Sequence, residues 1–109
     1  DPARRDAHGA LPMHKAAERC GPRMVELLAA AGADPEAIDT ASRSTALHSA
    51  TRAGNAAAVA ALLGCQAEVD WLDRWNRTPL HWAGFHGHAE ICRLLVDARA
   101  TLEGTVGER

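Results

Sequence analysis

The chain has 109 residues, 47 % of them apolar and 24 % charged, with 12 basic and 14 acidic side chains and a formal charge of −2. That length holds one small domain with enough apolar material for a core, which excludes two ordinary domains and a disordered tail. The near-neutral balance gives no global attraction to nucleic acid or anionic lipid, and no apolar run nears the roughly 18 residues of a membrane-spanning helix.

Cys20, Cys65 and Cys92 are odd in number and form no CxxC pair. This argues against a disulfide framework and a thiolate zinc site, and a reducing intracellular compartment, cytoplasmic or nuclear, is expected. No basic-then-apolar leader precedes the first motif, so no signal peptide is expected either. Tyrosine is absent, and the four aromatics, Trp71, Trp75, Trp82 and Phe85, fall within one 15-residue window.

In chain order, Leu11-Pro12-Met13-His14, Thr45-Ala46-Leu47-His48 and Thr78-Pro79-Leu80-His81 repeat one pattern, with the histidines 34 and 33 residues apart. Ala16, Ala50 and Ala83 follow two places on. Then come the apolar pairs Met24-Val25, Ala58-Val59 and Ile91-Cys92, the pairs Leu27-Leu28, Ala61-Leu62 and Leu94-Leu95, and a closing Ala33, Ala67 or Ala100. Self-similarity at this period is the mark of a repeat architecture. Within the third unit the apolar spacing predicts a helix from about Pro79 to Phe85 and another from about Ala89 to Asp97, with Gly87 breaking between them. Helices of about two turns are too short to stand alone, so stability must come from stacking unit on unit. The Asp-rich segments at 34–39 and 68–73 read as turn or hairpin links.

This pattern resembles the ankyrin repeat over essentially the whole chain, most closely from Asp73 to Ala83 with Gly87-His88 and Leu94-Leu95. The resemblance implies an all-α solenoid of helix-turn-helix repeats, roughly 6–38, 39–72 and 73–105, joined by β-hairpin-like loops. It also implies that Thr78 caps a helix which Pro79 opens, and that His14, His48 and His81 tie neighbouring repeats by hydrogen bonds. Capping logic independently supports the roles of Thr78 and Pro79.

The departures from the pattern carry their own expectations. Leu11 replaces the capping Thr, so that cap should be lost. Ala46 replaces Pro, and Cys20 stands at the Gly54 and Gly87 position with Gly21 beside it. The link after Asp39 has one extra residue. Ser42 and Asn76 occupy the usual glycine of the hairpin, and Ser tolerates a left-handed backbone less well than Asn. A distorted tip is therefore expected around 41–44. Asp1 to Asp6 match Asp34 to Asp39 in phase, and 103–109 should begin another link. Neither outer unit has a strongly polar face, whereas solenoids need polar end caps for solubility. The chain is thus expected to be a piece of a longer array, or to have its ends covered by a partner or another copy. The alternative is that three units suffice with modestly exposed ends.

Six histidines invite a metal or a catalytic reading, but neither finds support. His81, His86 and His88 are not spaced for one helical face, HExxH is absent, and no Cys-His set has metal-site spacing. Cys92 lies four residues after His88 yet occupies an apolar repeat position, which reads as a small buried hydrophobe. His48 and Ser49 have no specifically placed acid, and no glycine-rich phosphate loop exists. Arg74 and Arg77 flank Trp75 as nucleic-acid binders do, but Asp70 and Asp73 stand beside them. No enzyme activity, metal, cofactor, nucleic acid or membrane is expected.

The resemblance implies docking of a protein or peptide on the concave side, formed by link tips and first helices. In the third unit this side holds Arg74, Trp75, Arg77, Trp82, Phe85 and His86. Arg52, with Ser44, Ser49 and Ala53, is equivalent in the second unit, and Arg19, with His8, Ala10, Lys15 and Glu18, in the first. Large aromatics beside Arg have the composition of an interaction hot spot. Trp71 reads either as core or as a wedge under the hairpin, and Trp82 either as a ligand contact or as packing along its own helix. The expected function is a non-enzymatic scaffold or adaptor module. The alternatives are a structural spacer and a regulatory accessory segment of a larger protein or enzyme, with end-to-end self-association possible through uncapped repeats.

Overall fold

The computed structural model describes the backbone of residues 3–106 and the side chains of residues 3–99. Six helices follow one another: α1 (Pro12–Arg19), α2 (Pro22–Ala30), α3 (Ala46–Ala53), α4 (Ala56–Gly64), α5 (Pro79–His86) and α6 (Ala89–Val106). No strand occurs among the described residues. Each odd helix turns back into the even helix after it, and α1 packs on α3, α3 on α5, α2 on α4 and α4 on α6. The result is a two-layer stack of helix pairs. Its core runs through Met13, Ala17, Val25, Leu47, Ala50, Val59, Leu62, Ala83, Ile91 and Leu95. Small residues at Ala16, Ala50 and Ala83 let the layers approach closely, and all three are buried.

Local sequence sets most helix ends. Thr45 and Thr78 have extended backbones, and their hydroxyls accept from the N–H groups of His48 and His81. Leu11 has no such oxygen, and α1 keeps only the reciprocal bond, in which the Leu11 N–H donates to His14 Nδ1 at 3.1 Å. Gly54 and Gly87 close α3 and α5 in the left-handed region. Cys20 closes α1 in an extended conformation instead. Asn55 supplies what no repeat motif anticipated: its carboxamide oxygen caps α4, while Nδ2 donates to the Ala17 and Cys20 carbonyls at 2.9 and 2.8 Å. One side chain thereby satisfies the start of one repeat's second helix and the end of its neighbour's first.

The tips are turns held by an aspartate. Asp6, Asp39 and Asp73 each accept backbone N–H bonds from the residues of their own turn. In the third tip the Asn76 N–H reaches the Asp73 carbonyl, and Asn76 has φ +60°. The extra residue of the second tip widens this turn by one, so the Arg43 N–H reaches Asp39 O and Arg43, not Ser42, takes the left-handed conformation. Successive tips are sewn together, the Thr40 N–H donating to Gly9 O and the Arg74 N–H to Ser42 O. Gly9, at φ +83°, permits this approach: a Cβ there would stand 1.8 Å from Thr40 Oγ1.

The last helix departs from expectation. The α6 backbone continues to Val106 instead of ending near Asp97, and no link begins at 103. In the first two units the chain leaves the helix through left-handed Gly32 and Gln66, and the N–H groups of Ala33 and Ala67 fold back onto Leu28 O and Leu62 O. Arg99 occupies that position in the third unit. With no described neighbour for a link to dock on, nothing offsets the lost helical bond. The phase match of Asp1 and Pro2, and residues 107–109, lie outside the described residues.

The repeat histidines divide two to one. His14 Nε2 lies 2.9 Å from Ser44 O and 3.1 Å from Ala37 O, and His48 Nε2 lies 2.8 Å from Arg77 O. Since each Nδ1 accepts from a backbone N–H, Nε2 carries the proton and donates across to the next unit. His81 keeps its own-unit bonds through Nδ1 but is exposed and, among the described residues, bridges to no neighbouring unit. Burial holds the His14 and His48 imidazoles below the ordinary 6.5, against the opposing pull of their carbonyl partners and of Asp39 or Asp73. The unfolded chain takes up these protons near the ordinary value while the native one does not. Stability is therefore complete above 6.5 and falls as pH drops below it. We predict that the urea midpoint decreases between about pH 7.5 and about pH 5.5, and that His48→Gln makes it less pH-dependent. An unchanged slope in the variant would contradict this assignment.

Candidate protein-interaction surface

The third tip and the outer face of α5 bring seven of the eight expected contact residues together. Trp82 is the hub. Its ring meets Trp75 edge-on at 6.0 Å and Phe85 edge-on at 6.1 Å, and it stacks on His86 at 5.7 Å. Guanidinium groups close over it, Arg77 at 4.8 Å and Arg52 at 5.3 Å from the ring centroid. Arg77 also lies 5.2 Å from Phe85, and Arg74 lies 5.6 Å from Trp75. The spacing explains the grouping: Trp82, Phe85 and His86 are three and four residues apart on one helix and so share a face.

Outward exposure is uneven. Phe85 is 70 % exposed and Trp75 52 %, whereas Trp82 is only partly so. Trp82 thus serves as the floor that Trp75, Phe85 and Arg77 stand on. Arg19 does not join the cluster. It lines a shallow depression between α1 and α3 with Glu18, Ser49, Arg52 and Ala53, so Arg52 is the joint between that depression and the aromatic group. Ser44 and Ser49, expected on the exposed face, are buried. Ser44 Oγ accepts from Arg52 Nη1 at 2.8 Å and from the Ser42 hydroxyl, which draws it under the second tip.

Asp73 is the residue that sequence reasoning missed. It is buried, its Oδ1 accepts from the Trp75 and Arg77 N–H groups at 2.9 and 3.0 Å, and its Oδ2 accepts from Trp82 Nε1 at 2.7 Å. Arg52 Nη1 stands 3.9 Å from Oδ2. Burial alone would raise this carboxyl's pKa, but the Trp82 indole and the two backbone donors outweigh it and hold the value below the usual 3.8. The tip turn, the indole and the arginine are thus oriented by one carboxylate. The detectable signal was an aspartate recurring in phase at Asp6, Asp39 and Asp73, the position from which a side chain closes its own turn.

Trp71 is neither core nor wedge. It is 44 % exposed, and its Nε1 donates to Glu36 Oε1, while Glu36 Oε2 accepts from the Glu68 N–H. It therefore clamps two links together and takes no part in the ring contacts of the cluster. Cys92 is only half-buried although its equivalents Val25 and Val59 are fully covered, because α6 has no described helix beyond it. Among the described residues no group of three or more His, Cys, Asp or Glu side chains is placed to hold a metal ion, and no helix is long and apolar enough to cross a membrane.

The comparisons with known proteins agree with this architecture. Residues 13–104 match the family model described as ankyrin repeats (3 copies). The chain belongs to the ankyrin-repeat family. Repeats of this family mediate protein–protein interaction. Over 73 residues the chain is 36 % identical to cyclin-dependent kinase 4 inhibitor B of Bos taurus, covering 67 % of this chain and 56 % of that protein. It is 35 % identical over 85 residues to human cyclin-dependent kinase inhibitor 2A, covering 78 % and 53 %. Against the E3 ubiquitin-protein ligase KEG of Arabidopsis thaliana it is 35 % identical over 89 residues, 82 % of this chain but 6 % of that one. The chain spans about half the length of the two inhibitors it matches.

The geometry predicts that Asp73→Ala costs about 2–3 kcal/mol, because three donors lose their acceptor in a buried site. A urea titration measures the loss. The tryptophan emission should also shift to the red as Trp75 and Trp82 are released, and an unshifted emission would show that Asp73 does not organise the cluster.

Proposed function

We propose that this ankyrin-repeat chain is a non-catalytic docking module that grips a partner protein or peptide on its concave side. Arg74, Trp75, Arg77, Trp82, Phe85 and His86 form the grip, and Arg52 and Arg19 extend it across α3 and α1. The single observation that carries this reading is the exposed pair Trp75 and Phe85, held rigid on an internally anchored Trp82. Such pre-ordered aromatics lose little freedom on binding and present a large apolar area. The relatives' names support the general reading, not a particular partner: kinase inhibitors and a ubiquitin ligase share these repeats while their tasks differ. We also read repeats of 6–38, 39–72 and 73–105 as a segment of a longer intracellular array.

Trp75→Ala with Phe85→Ala removes exposed groups, so the fold should lose less than about 1 kcal/mol per site. In affinity capture the double variant should lose the proteins that the wild type and an Arg93→Gln control on the far side both retain. Equal capture by all three would remove the cluster from the binding account.

A second reading, end-to-end association, rests on the two outer faces. Leu80 is 36 % exposed where its equivalents Met13 and Leu47 are buried, and Met24 is 44 % exposed where Ala58 and Ile91 are buried. Each end therefore repeats a surface that inside the stack is covered by a neighbouring pair. Sedimentation velocity should give a coefficient that rises with concentration for the wild type and stays flat for Leu80→Glu. A wild type that remains monomeric at high concentration would defeat this reading.

A further inference from the structure

Charge is sorted between the two sides of the stack. The tips and first helices (6–19, 39–53 and 73–86) carry six Lys and Arg against four Asp and Glu, whereas the other residues within 3–99 carry five against seven. Two of the four front-side acids, Asp39 and Asp73, are buried in their own turns, which leaves the exposed front more cationic than the tally. The ion pairs formed among the described residues, Lys15–Asp6, Arg52–Asp73, Arg93–Glu90 and Arg99–Asp70, engage none of Arg19, Arg43, Arg74 or Arg77. Arg19 lies in the depression, Arg74 and Arg77 beside the aromatic cluster, and Arg43 next to Arg74 at the second tip. Of the front-side acids only Asp6, paired with Lys15, and Glu18 are exposed.

We infer that the concave side takes an acidic segment of a partner protein, its carboxylates seated on Arg19, Arg52 and Arg77 and a large apolar side chain lodged against Trp75 and Phe85. This deepens the docking reading above and rests on it. Guanidinium forks suit carboxylates geometrically, and three of them here are spread along one path from α1 to α5. The Arg77 guanidinium sits 4.8 Å from the Trp82 and 5.2 Å from the Phe85 ring centroid and is only half-buried, so it stands at the edge of the aromatic group. The acidic far side would repel such a segment, which fixes the side on which it docks.

The test selects a random peptide library on the immobilised chain and re-measures the winners as synthetic peptides. The variants are Arg52→Gln with Arg77→Gln, Arg19→Gln alone, and Trp75→Ala with Phe85→Ala. Winners are expected to be rich in Asp and Glu next to Leu, Phe or Trp. Their affinity should fall about tenfold in the double arginine variant, by a smaller factor in Arg19→Gln, and markedly when salt is raised to about 0.3 M. Arg19→Gln changes an exposed side chain in no ion pair, so its effect is read even if the double variant is less stable. Winners without acidic bias that still depend on Trp75 and Phe85 would overturn the acidic inference and spare the docking reading. Winners indifferent to every variant would overturn both, and a single-stranded oligonucleotide that outcompetes the peptides would overturn the inference in favour of nucleic acid.

Discussion

Every feature of this molecule depends on the burial of one helix pair against the next. Leu47, Val59 and Leu62 are fully inaccessible, yet they belong to helices of eight and nine residues that would not persist alone. Their shelter comes from both neighbours at once, α1 and α2 on one side and α5 and α6 on the other. Middle and outer units therefore differ sharply despite similar sequences. Residues 44–51 form an unbroken buried stretch, while the matching run 77–84 exposes Leu80, His81 and Gly84.

The same stacking couples polar and apolar order. His14 and His48 reach carbonyls that exist only in the next unit, Asn55 closes the preceding unit's helix, and Gly9 admits the neighbouring tip. None of these bonds is available to an isolated pair. They fix the rotation and spacing of successive units, so apolar burial supplies the driving force and the hydrogen bonds supply the register.

The surface proposed for docking is a by-product of that register. Tips are tied to tips and first helices lie side by side, so Arg19, Arg52 and Arg77, far apart in the chain, fall along one path. The aromatic group is local by contrast, gathered by helical spacing and by Asp73. In the proposed docking, binding energy would be concentrated at one end, in the aromatic rings, and orientation would be supplied along the length by charge.

The sequence by itself determined the period, the alternation of paired helices and links, the caps at Thr45 and Thr78, and the joining of Trp75, Trp82 and Phe85 in one neighbourhood. Each of these follows from offsets of a few residues, or from a period that repeats them. It did not determine that Arg43 would take the left-handed place expected of Ser42, that Ser44 and Ser49 would be buried, that Trp71 would clamp two links together, or that α6 would run to Val106. Those outcomes depend on what lies across the interface: a widened turn, a neighbouring arginine, a glutamate thirty-five residues away, and the lack of a described unit beyond α6. Local spacing encodes elements because backbone geometry is periodic, whereas exposure and partnership are properties of contacts between units and were decided only when the stack was assembled.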